Sequence, residues 1–169
     1  MRPILLNRVT RADAPDLIAA NLESQSHHLP WVTSFTDQAG FDAWFGRGLS
    51  GPNASLIARE AASGGIVGVI NLSEIVAGVF QSAYLGYYGM ARFARTGLMT
   101  EALRAAVAYA FDDLGLHRLE ANIQPENSAS IALVRRVGFS KEGFSPRYLR
   151  IGGIWRDHER WAIVSDRDA

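Results

Sequence analysis

The chain has 169 residues, of which 48% are hydrophobic and 20% are charged. These values match an ordinary globular protein, so they exclude a disordered chain, and the length predicts one domain over residues 1–169. The 17 basic residues balance 17 acidic ones, which excludes the strongly basic surface of a nucleic-acid-binding protein. The sequence has no cysteine, so disulfides, zinc–thiolate sites and thiol nucleophiles are excluded as well.

The hydropathy pattern also bears on where the protein works. No apolar run approaches the ~18 residues that span a membrane, and the run that starts at Ile4 is too short for a signal peptide. We therefore expect a cytoplasmic protein with neither a membrane nor a nucleic acid as partner.

The first part of the chain predicts one strand and two helices. A strand is expected over 4–9 and a helix from Asp13 to about Ser24, with Pro15 in its first turn. The segment 27–31, His-His-Leu-Pro-Trp, is expected to interrupt the helical pattern. A second helix is predicted from Thr36-Asp37 to Gly51-Pro52.

The rest of the chain alternates between strand and helix patterns. Strands are predicted over 54–61, 66–75 and 83–89, a long helix from Leu98 to about Leu114, a strand over 118–124, a helix over 129–137, and a closing hairpin of 139–151 with 154–164. The resulting order is β-α-α-β-β-β-α-β-α-β-β. This order predicts a mixed α/β sheet that is antiparallel in its hairpins and has helical crossovers.

Two segments of this pattern are candidates for a binding or catalytic site. Gly97 begins the long helix after a loop with Arg92 and Arg95, and free N–H groups at a helix start bind phosphate. The alternative is an ordinary helix start with two solvated arginines. The second place is the polar run 125–130, which follows a strand directly. Asn127 or Ser128 is expected to cap the next helix there, but a cap does not explain the whole polar cluster.

Several segments agree in order and spacing with a known family. The chain resembles the GNAT superfamily of acetyl-CoA-dependent N-acetyltransferases, and in particular the bacterial ribosomal-protein-alanine N-acetyltransferases of the Rim type. The resemblance rests on the segments 68–73 (GVINLS), 84–87 (YLGY), 97–103 (GLMTEAL), 127–130 (NSAS), 138–143 (GFSKEG) and 148–158 (YLRIGGIWRDH).

The resemblance implies an acetyl-CoA site. The backbone of Tyr88, Gly89 and Met90 would run along the pantetheine arm, and Asn127 would contact the same arm. Ser130 would lie near the thioester sulfur and protonate the leaving thiolate. The pyrophosphate would be held by the backbone N–H groups of Arg95, Thr96, Gly97, Leu98 and Met99, with Thr100 as a hydroxyl donor.

The phosphate loop departs from the usual family pattern at Ala94-Arg95, where Gln/Arg-Gly is common. Because glycine is favoured where φ is positive, Arg95 fits this position if its φ stays negative, and its charge then offers a compensation for the missing glycine. The backbone N–H of Met90 is expected to stabilise the developing charge on the thioester oxygen.

The sequence says less about the residues that would bind and deprotonate the amine that accepts the acetyl group. Glu74 is the candidate general base, with a surface strand end as the alternative, and His158 is expected to make a structural hydrogen bond. Trp31 and Tyr148 are expected to wall the acceptor cleft, although Trp31 also suits packing against the second helix. No metal is expected, because adjacent His27 and His28 point apart and lack a spaced carboxylate.

The resemblance implies direct acetyl transfer from acetyl-CoA to a primary amine in a ternary complex. At pH 7.5 roughly a third of α-amines are neutral, against about one lysine in a thousand, so a weak base favours an N-terminus, as in a ribosomal protein. The alternatives are a small amine acceptor (antibiotic, polyamine or amino acid) or an acetyl-CoA-binding module without turnover. Either a monomer or a homodimer is compatible with the sequence.

Overall fold

In the computed structural model, which describes residues 3–167, the chain folds into a seven-stranded mixed sheet with helices on both faces. The strands are β1 (Ile4–Arg8), β2 (Ala54–Glu60), β3 (Ile66–Val76), β4 (Ser82–Gly89), β5 (Arg118–Ile123), β6 (Ser140–Ile151) and β7 (Ile154–Val164). The helices are α1 (Ala14–Glu23), α2 (Gln25–His28), α3 (Gln38–Leu49), α4 (Leu98–Asp112) and α5 (Ser128–Val137).

The strands lie in the order β1-β2-β3-β4-β5-β7-β6. Every neighbouring pair is antiparallel except β4 and β5, which are parallel. A parallel pair needs a crossover, and α4 supplies it by returning the chain across the sheet. The predicted mixed α/β sheet is confirmed.

Two apolar clusters cover the two faces of the sheet. On one face, α4 and α5 pack over side chains such as Ile70, Leu72 and Leu119. On the other face, α1 and α3 pack over Ile57, Val69 and neighbouring side chains. Because side chains alternate along a strand, each residue of β3 and β4 belongs to one face only.

The structure differs from the prediction at the end of the first helix. His27 and His28 belong to the short helix α2 instead of interrupting the helical pattern. Ser24 separates α2 from α1, and its hydroxyl accepts from the N–H of Ala91. His28 is buried against the sheet, and this tertiary contact compensates for a helix of only four residues. Among residues 3–167, no helix is long and apolar enough to cross a membrane.

Gly68 allows α4 to approach the sheet closely. A β-carbon added at Gly68 would lie 2.7 Å from Met99 Sδ and 2.7 Å from the carbonyl oxygen of Tyr88. Because the second of these atoms belongs to the backbone of β4, it cannot move aside like the end of a flexible side chain. The first turn of α4 therefore depends on the missing side chain of Gly68.

We expect Gly68→Ala to lower the free energy of unfolding by about 1–3 kcal/mol, because it overpacks the contact between β3, β4 and Met99. Gly86→Ala is the matched control, since Gly86 also lies in a strand but has no atom within 4 Å of an added β-carbon. Urea denaturation of both variants measures the difference. Equal stabilities would contradict the role of Gly68.

Candidate functional site

The sheet opens between β4 and β5. The two strands pair only from Ser82 to Tyr84 on β4 and from Arg118 to Glu120 on β5. Both strands continue beyond this point, to Gly89 and Ile123, without pairing to each other. The separated ends form a V-shaped opening that connects the two faces of the sheet.

The backbone of β4 supplies polar groups to this opening. Met90 donates its N–H to the carbonyl of Val67 on β3, at 2.9 Å. In an antiparallel ladder, successive residues direct their N–H and C=O groups to opposite sides, so Gly89, Tyr87 and Leu85 direct theirs toward the opening. The N–H of Met90 is already donated within the sheet. The expectation that it stabilises the thioester oxygen is therefore wrong.

Helix α2 fixes the end of β4. His28 Nε2 donates to the carbonyl of Gly89 at 3.0 Å, and His28 Nδ1 accepts from the Ser34 hydroxyl at 3.0 Å. The carbonyl can only accept, so Nε2 carries a proton, and in the neutral ring Nδ1 is the acceptor. Burial lowers the pKa of His28 below its ordinary value of 6.5, with the bond to Gly89 opposing that shift and the charge of His27 adding to it. Of the backbone groups of Gly89, only the N–H remains for a ligand in the opening.

The loop between β4 and α4 adopts a strained conformation. Arg95 has φ +63° and Gly97 has φ +84°. The condition of a negative φ at Arg95 is therefore not met, and the left-handed conformation costs this residue roughly 1–2 kcal/mol. Such strain is typical of loops that hold backbone groups in place for a ligand.

Three N–H groups of this loop remain available. Thr96 donates its N–H to Phe93, and Leu98 donates its N–H to the Thr96 hydroxyl at 3.3 Å. The N–H groups of Arg95, Gly97 and Met99 have no acceptor within the described part of the chain. Together with the positive end of the α4 dipole, they suit an anion, and the phosphate site stays a prediction. Thr100, by contrast, is buried, and its N–H donates to Gly97.

The start of α5 lies on the same face as α4. Asn127 caps this helix, and its Oδ1 accepts from the N–H of Ser130 at 3.2 Å. Only the amide NH₂ of Asn127 is therefore left for a ligand. The Ser130 hydroxyl is hydrogen-bonded to the hydroxyl of Tyr87 at 2.6 Å. Burial raises the pKa of Tyr87 to about 12, with the bond to Ser130 opposing the rise.

A cavity of about 510 Å³ lies on the opposite face, between α3, the segment before it and the strands β3 and β4. Its lining includes Trp44, Asn71 and Gly86, together with the residues 32–35. The Oδ1 atom of Asn71 is buried without a hydrogen-bond partner. Neither Trp31 nor Tyr148 lines this cavity, and its aromatic residues are Phe35, Trp44, Tyr87 and Tyr88.

Tyr148 belongs to a polar cluster on β4, β5 and β6. The neighbouring Tyr148, partial burial and the carboxylates of Glu120 and Glu74 together raise the pKa of Tyr84. Glu74 is exposed, lies at an irregularity of β3 and has φ +51°. Glu120 accepts from Arg118 Nε at 2.8 Å and lies at the last pair before β4 and β5 separate.

Glu120, Tyr87 and His28 were not singled out from the sequence as site residues. A charged residue in the central strand β5 is a signal for Glu120, because an interior strand rarely carries an uncompensated charge. The contacts of Tyr87 and His28 join residues 43 and 61 positions apart, and no local pattern indicates them.

The other titratable candidates have structural roles. The Nδ1 atom of His158 hydrogen-bonds the carbonyl of Arg156 at 2.9 Å, and the ring is buried 6.2 Å from that of Tyr148. Both ring nitrogens of His28 are occupied by protein partners. Residues 3–167 contain no group of three or more side chains placed to hold a metal ion.

Comparison with known proteins agrees with this geometry. Residues 4–140 match the acetyltransferase (GNAT) domain family, so the chain belongs to that family. It is 44% identical over 100 residues to the [Ribosomal protein uS5]-alanine N-acetyltransferase of Escherichia coli, a match that covers 59% of this chain and 52% of that protein. It is 39% identical over 103 residues to the probable N-acetyltransferase YjcK of Bacillus subtilis, covering 61% of this chain and 57% of that protein. The matches therefore span about half the length of these curated relatives.

A solved structure is also similar. Mycobacterium smegmatis RimJ in complex with CoA-disulfide superimposes with a TM-score of 0.87 at 28% identity, over 96% of this chain and 82% of that one. The predicted membership of the GNAT superfamily is confirmed.

The strain at Arg95 gives a first prediction for this site. We expect Arg95→Gly to raise the free energy of unfolding by about 0.5–1 kcal/mol, because glycine adopts positive φ without the steric cost. Arg95→Ala is the control that removes the charge and keeps the strain, so its stability should not rise.

Titration calorimetry with CoA separates the charge of Arg95 from its backbone. Both variants should bind about threefold more weakly, because the exposed guanidinium lies beside the free N–H groups of the loop. Tighter binding by Arg95→Gly alone would instead mark Arg95 as an obstruction.

The buried His28 gives a second prediction. Because its pKa is lowered in the folded state, the unfolded chain binds more protons below pH 6.5, and stability is lost as the pH falls through and below that value. We expect His28→Gln to weaken this acid dependence, at a cost of about 1–3 kcal/mol near neutral pH from the lost hydrogen bonds. His27→Gln is the control, because His27 is exposed. Thermal unfolding at pH 7.5 and 5.5 measures this loss of stability. An equal loss in His28→Gln and in the native protein would refute the prediction.

Proposed function

We propose that the chain transfers the acetyl group of acetyl-CoA to the α-amine of a protein N-terminus, such as that of a ribosomal protein. The observation that carries the proposal is the opening between β4 and β5. It has an anion site and the Ser130 hydroxyl on the face of α4 and α5, and a cavity on the face of α1 and α3.

The residues of the first face fit acetyl-CoA. The N–H groups of Arg95, Gly97 and Met99 suit its pyrophosphate, and Gly89 and Tyr87 direct backbone groups toward its pantetheine arm. Asn127 offers its NH₂ to a carbonyl of the same arm. The similarity to a RimJ that carries a CoA derivative supports this assignment.

The chemistry needs a neutral amine, an attack on the thioester carbonyl and a proton for the departing thiolate. We assign the last of these to Ser130, whose hydroxyl lies at the start of α5. Glu74 is the proposed base, and Glu120 is a second carboxylate near Tyr84. The backbone N–H groups that face the opening replace Met90 as donors to the developing oxyanion.

Two observations favour an N-terminal acceptor. The 44% identical relative bears the name of a ribosomal-protein-alanine N-acetyltransferase. The proposed base Glu74 is exposed and lies at a strand irregularity, without a hydrogen bond that would hold its carboxylate toward a bound amine within residues 3–167. An α-amine with a pKa of about 8 needs less help to lose its proton than a lysine.

Thiol release from acetyl-CoA with two matched peptides tests the proposal. One peptide has a free N-terminal alanine and no lysine, and the other has a blocked N-terminus and one internal lysine. We expect release with the first peptide only, because far more of its amine is neutral at pH 7.5.

The other outcomes separate the alternatives. Release with the lysine peptide alone would overturn the N-terminal acceptor. Release with neither peptide, but with a polyamine, an amino acid or an aminoglycoside, would assign a small-amine acceptor. Binding of CoA by calorimetry without release by any amine would mark a module without turnover.

A further inference from the structure

We infer that Tyr87 is a positioning residue: its phenol donates to Ser130 Oγ and so directs the serine proton into the opening between β4 and β5. This inference rests on the proposed function, because the role of Ser130 as the acid is part of that proposal. It adds a residue on β4 that acts through Ser130 and does not itself reach the reacting atoms.

The geometry joins two elements that are distant in sequence. The two hydroxyl oxygens are 2.6 Å apart, and the carbonyl oxygen of Ser130 lies farther from the Tyr87 hydroxyl, at 3.3 Å. Tyr87 packs with the core cluster under α4 and α5, which fixes its ring. Tyr87 is half-buried and also lines the cavity on the opposite face, so it extends from that cavity to Ser130 at the start of α5.

The direction of the hydrogen bond follows from the chemistry of the two groups. A phenol is a stronger acid than an aliphatic hydroxyl, and a serine hydroxyl has one hydrogen and two acceptor sites. The Tyr87 hydroxyl has one hydrogen, and we assign it to the nearer acceptor, Ser130 Oγ at 2.6 Å, and not to the Ser130 carbonyl at 3.3 Å. Because burial raises the pKa of Tyr87 to about 12, the phenol stays protonated across the neutral range. The single hydrogen of Ser130 is then left for another acceptor.

The helix cap alone does not set this orientation. Asn127 holds the backbone N–H of Ser130, which fixes the helix start but leaves χ1 of Ser130 undetermined. Within residues 3–167, Tyr87 is the side chain that is hydrogen-bonded to Ser130 Oγ. Tyr87 is thus the group that selects one rotamer of Ser130.

The proton balance of the step involves Ser130 but not Tyr87. When the carbon–sulfur bond breaks, its electron pair stays on sulfur, the O–H bond of Ser130 breaks and an S–H bond forms. The amine nitrogen has by then formed its bond to the carbonyl carbon, and it gives one proton to the proposed base Glu74, which releases that proton to solvent. Solvent returns a proton to Ser130, so the chain recovers its protonation while Tyr87 keeps its hydrogen throughout.

Tyr87→Phe tests the inference, because it removes the hydroxyl and keeps the packed ring. We expect kcat to fall about tenfold, the effect of losing one hydrogen bond, while KM for acetyl-CoA changes less than about threefold. In a Ser130→Ala background the same substitution should have no further effect on kcat. Tyr109→Phe is the control, since it removes a phenol on α4 that accepts from Arg8 and lies outside the site.

Several results would overturn the inference: an unchanged kcat in Tyr87→Phe, a loss that appears in KM alone, or an equal loss in the Ser130→Ala background. Full activity of Ser130→Ala would refute the proposed acid as well, and this result is distinct from a failure at Tyr87.

A crystallographic readout is independent of turnover. We expect one χ1 rotamer of Ser130 in the native protein and more than one in Tyr87→Phe. A single, unchanged rotamer in the variant would overturn the inference even if no tested amine were acetylated.

Discussion

The parting of β4 and β5 is the constraint on which the rest of the molecule depends. In a continuous sheet each strand covers its neighbour's polar groups, and the two faces have no connection. Here three residue pairs hold the strands together at one end, and beyond Tyr84 the ladder stops. The exposed backbone must then find other partners, because unpaired polar groups in the interior are costly. Under the proposed function, an extended polar ligand supplies these partners.

The surrounding elements hold the opening in shape and limit what it can bind. His28 takes the carbonyl of Gly89, and β3 takes the N–H of Met90, so both groups are removed from the site. Gly68 lets Met99 pack onto the sheet, which brings the start of α4 to the wide end of the opening. The N–H groups that remain are the ones a pyrophosphate would meet. The groups available to a ligand are therefore determined by which backbone groups are already hydrogen-bonded within the protein.

The division of the sheet into two faces also explains how two substrates meet. Helices α4 and α5 bring the anion site, Asn127 and Ser130 to one face. Helices α1 and α3 leave a cavity on the other face, and Glu74, Glu120, Tyr84 and Tyr148 form a polar cluster on the strands beside the opening. A thioester held from the first face exposes its carbonyl to an amine that arrives from the second. Under the proposed function, no large conformational change is needed to bring the two together.

Sequence by itself determined the element order, the mixed sheet and the helix starts at Gly97 and Asn127, because hydrophobic period, glycines and capping residues are local properties. The roles that it indicates for Ser130 and the phosphate loop stay predictions. It was wrong where distant contacts override local preference: in the free N–H of Met90 and in the interruption at His28. Only the tertiary structure decided that φ of Arg95 is positive and that Tyr87 meets Ser130. It also decided that the aromatic residues of the cavity are Phe35, Trp44, Tyr87 and Tyr88, and neither Trp31 nor Tyr148. Such contacts depend on how elements pack across the sheet, and a single sequence carries no local signal of that packing.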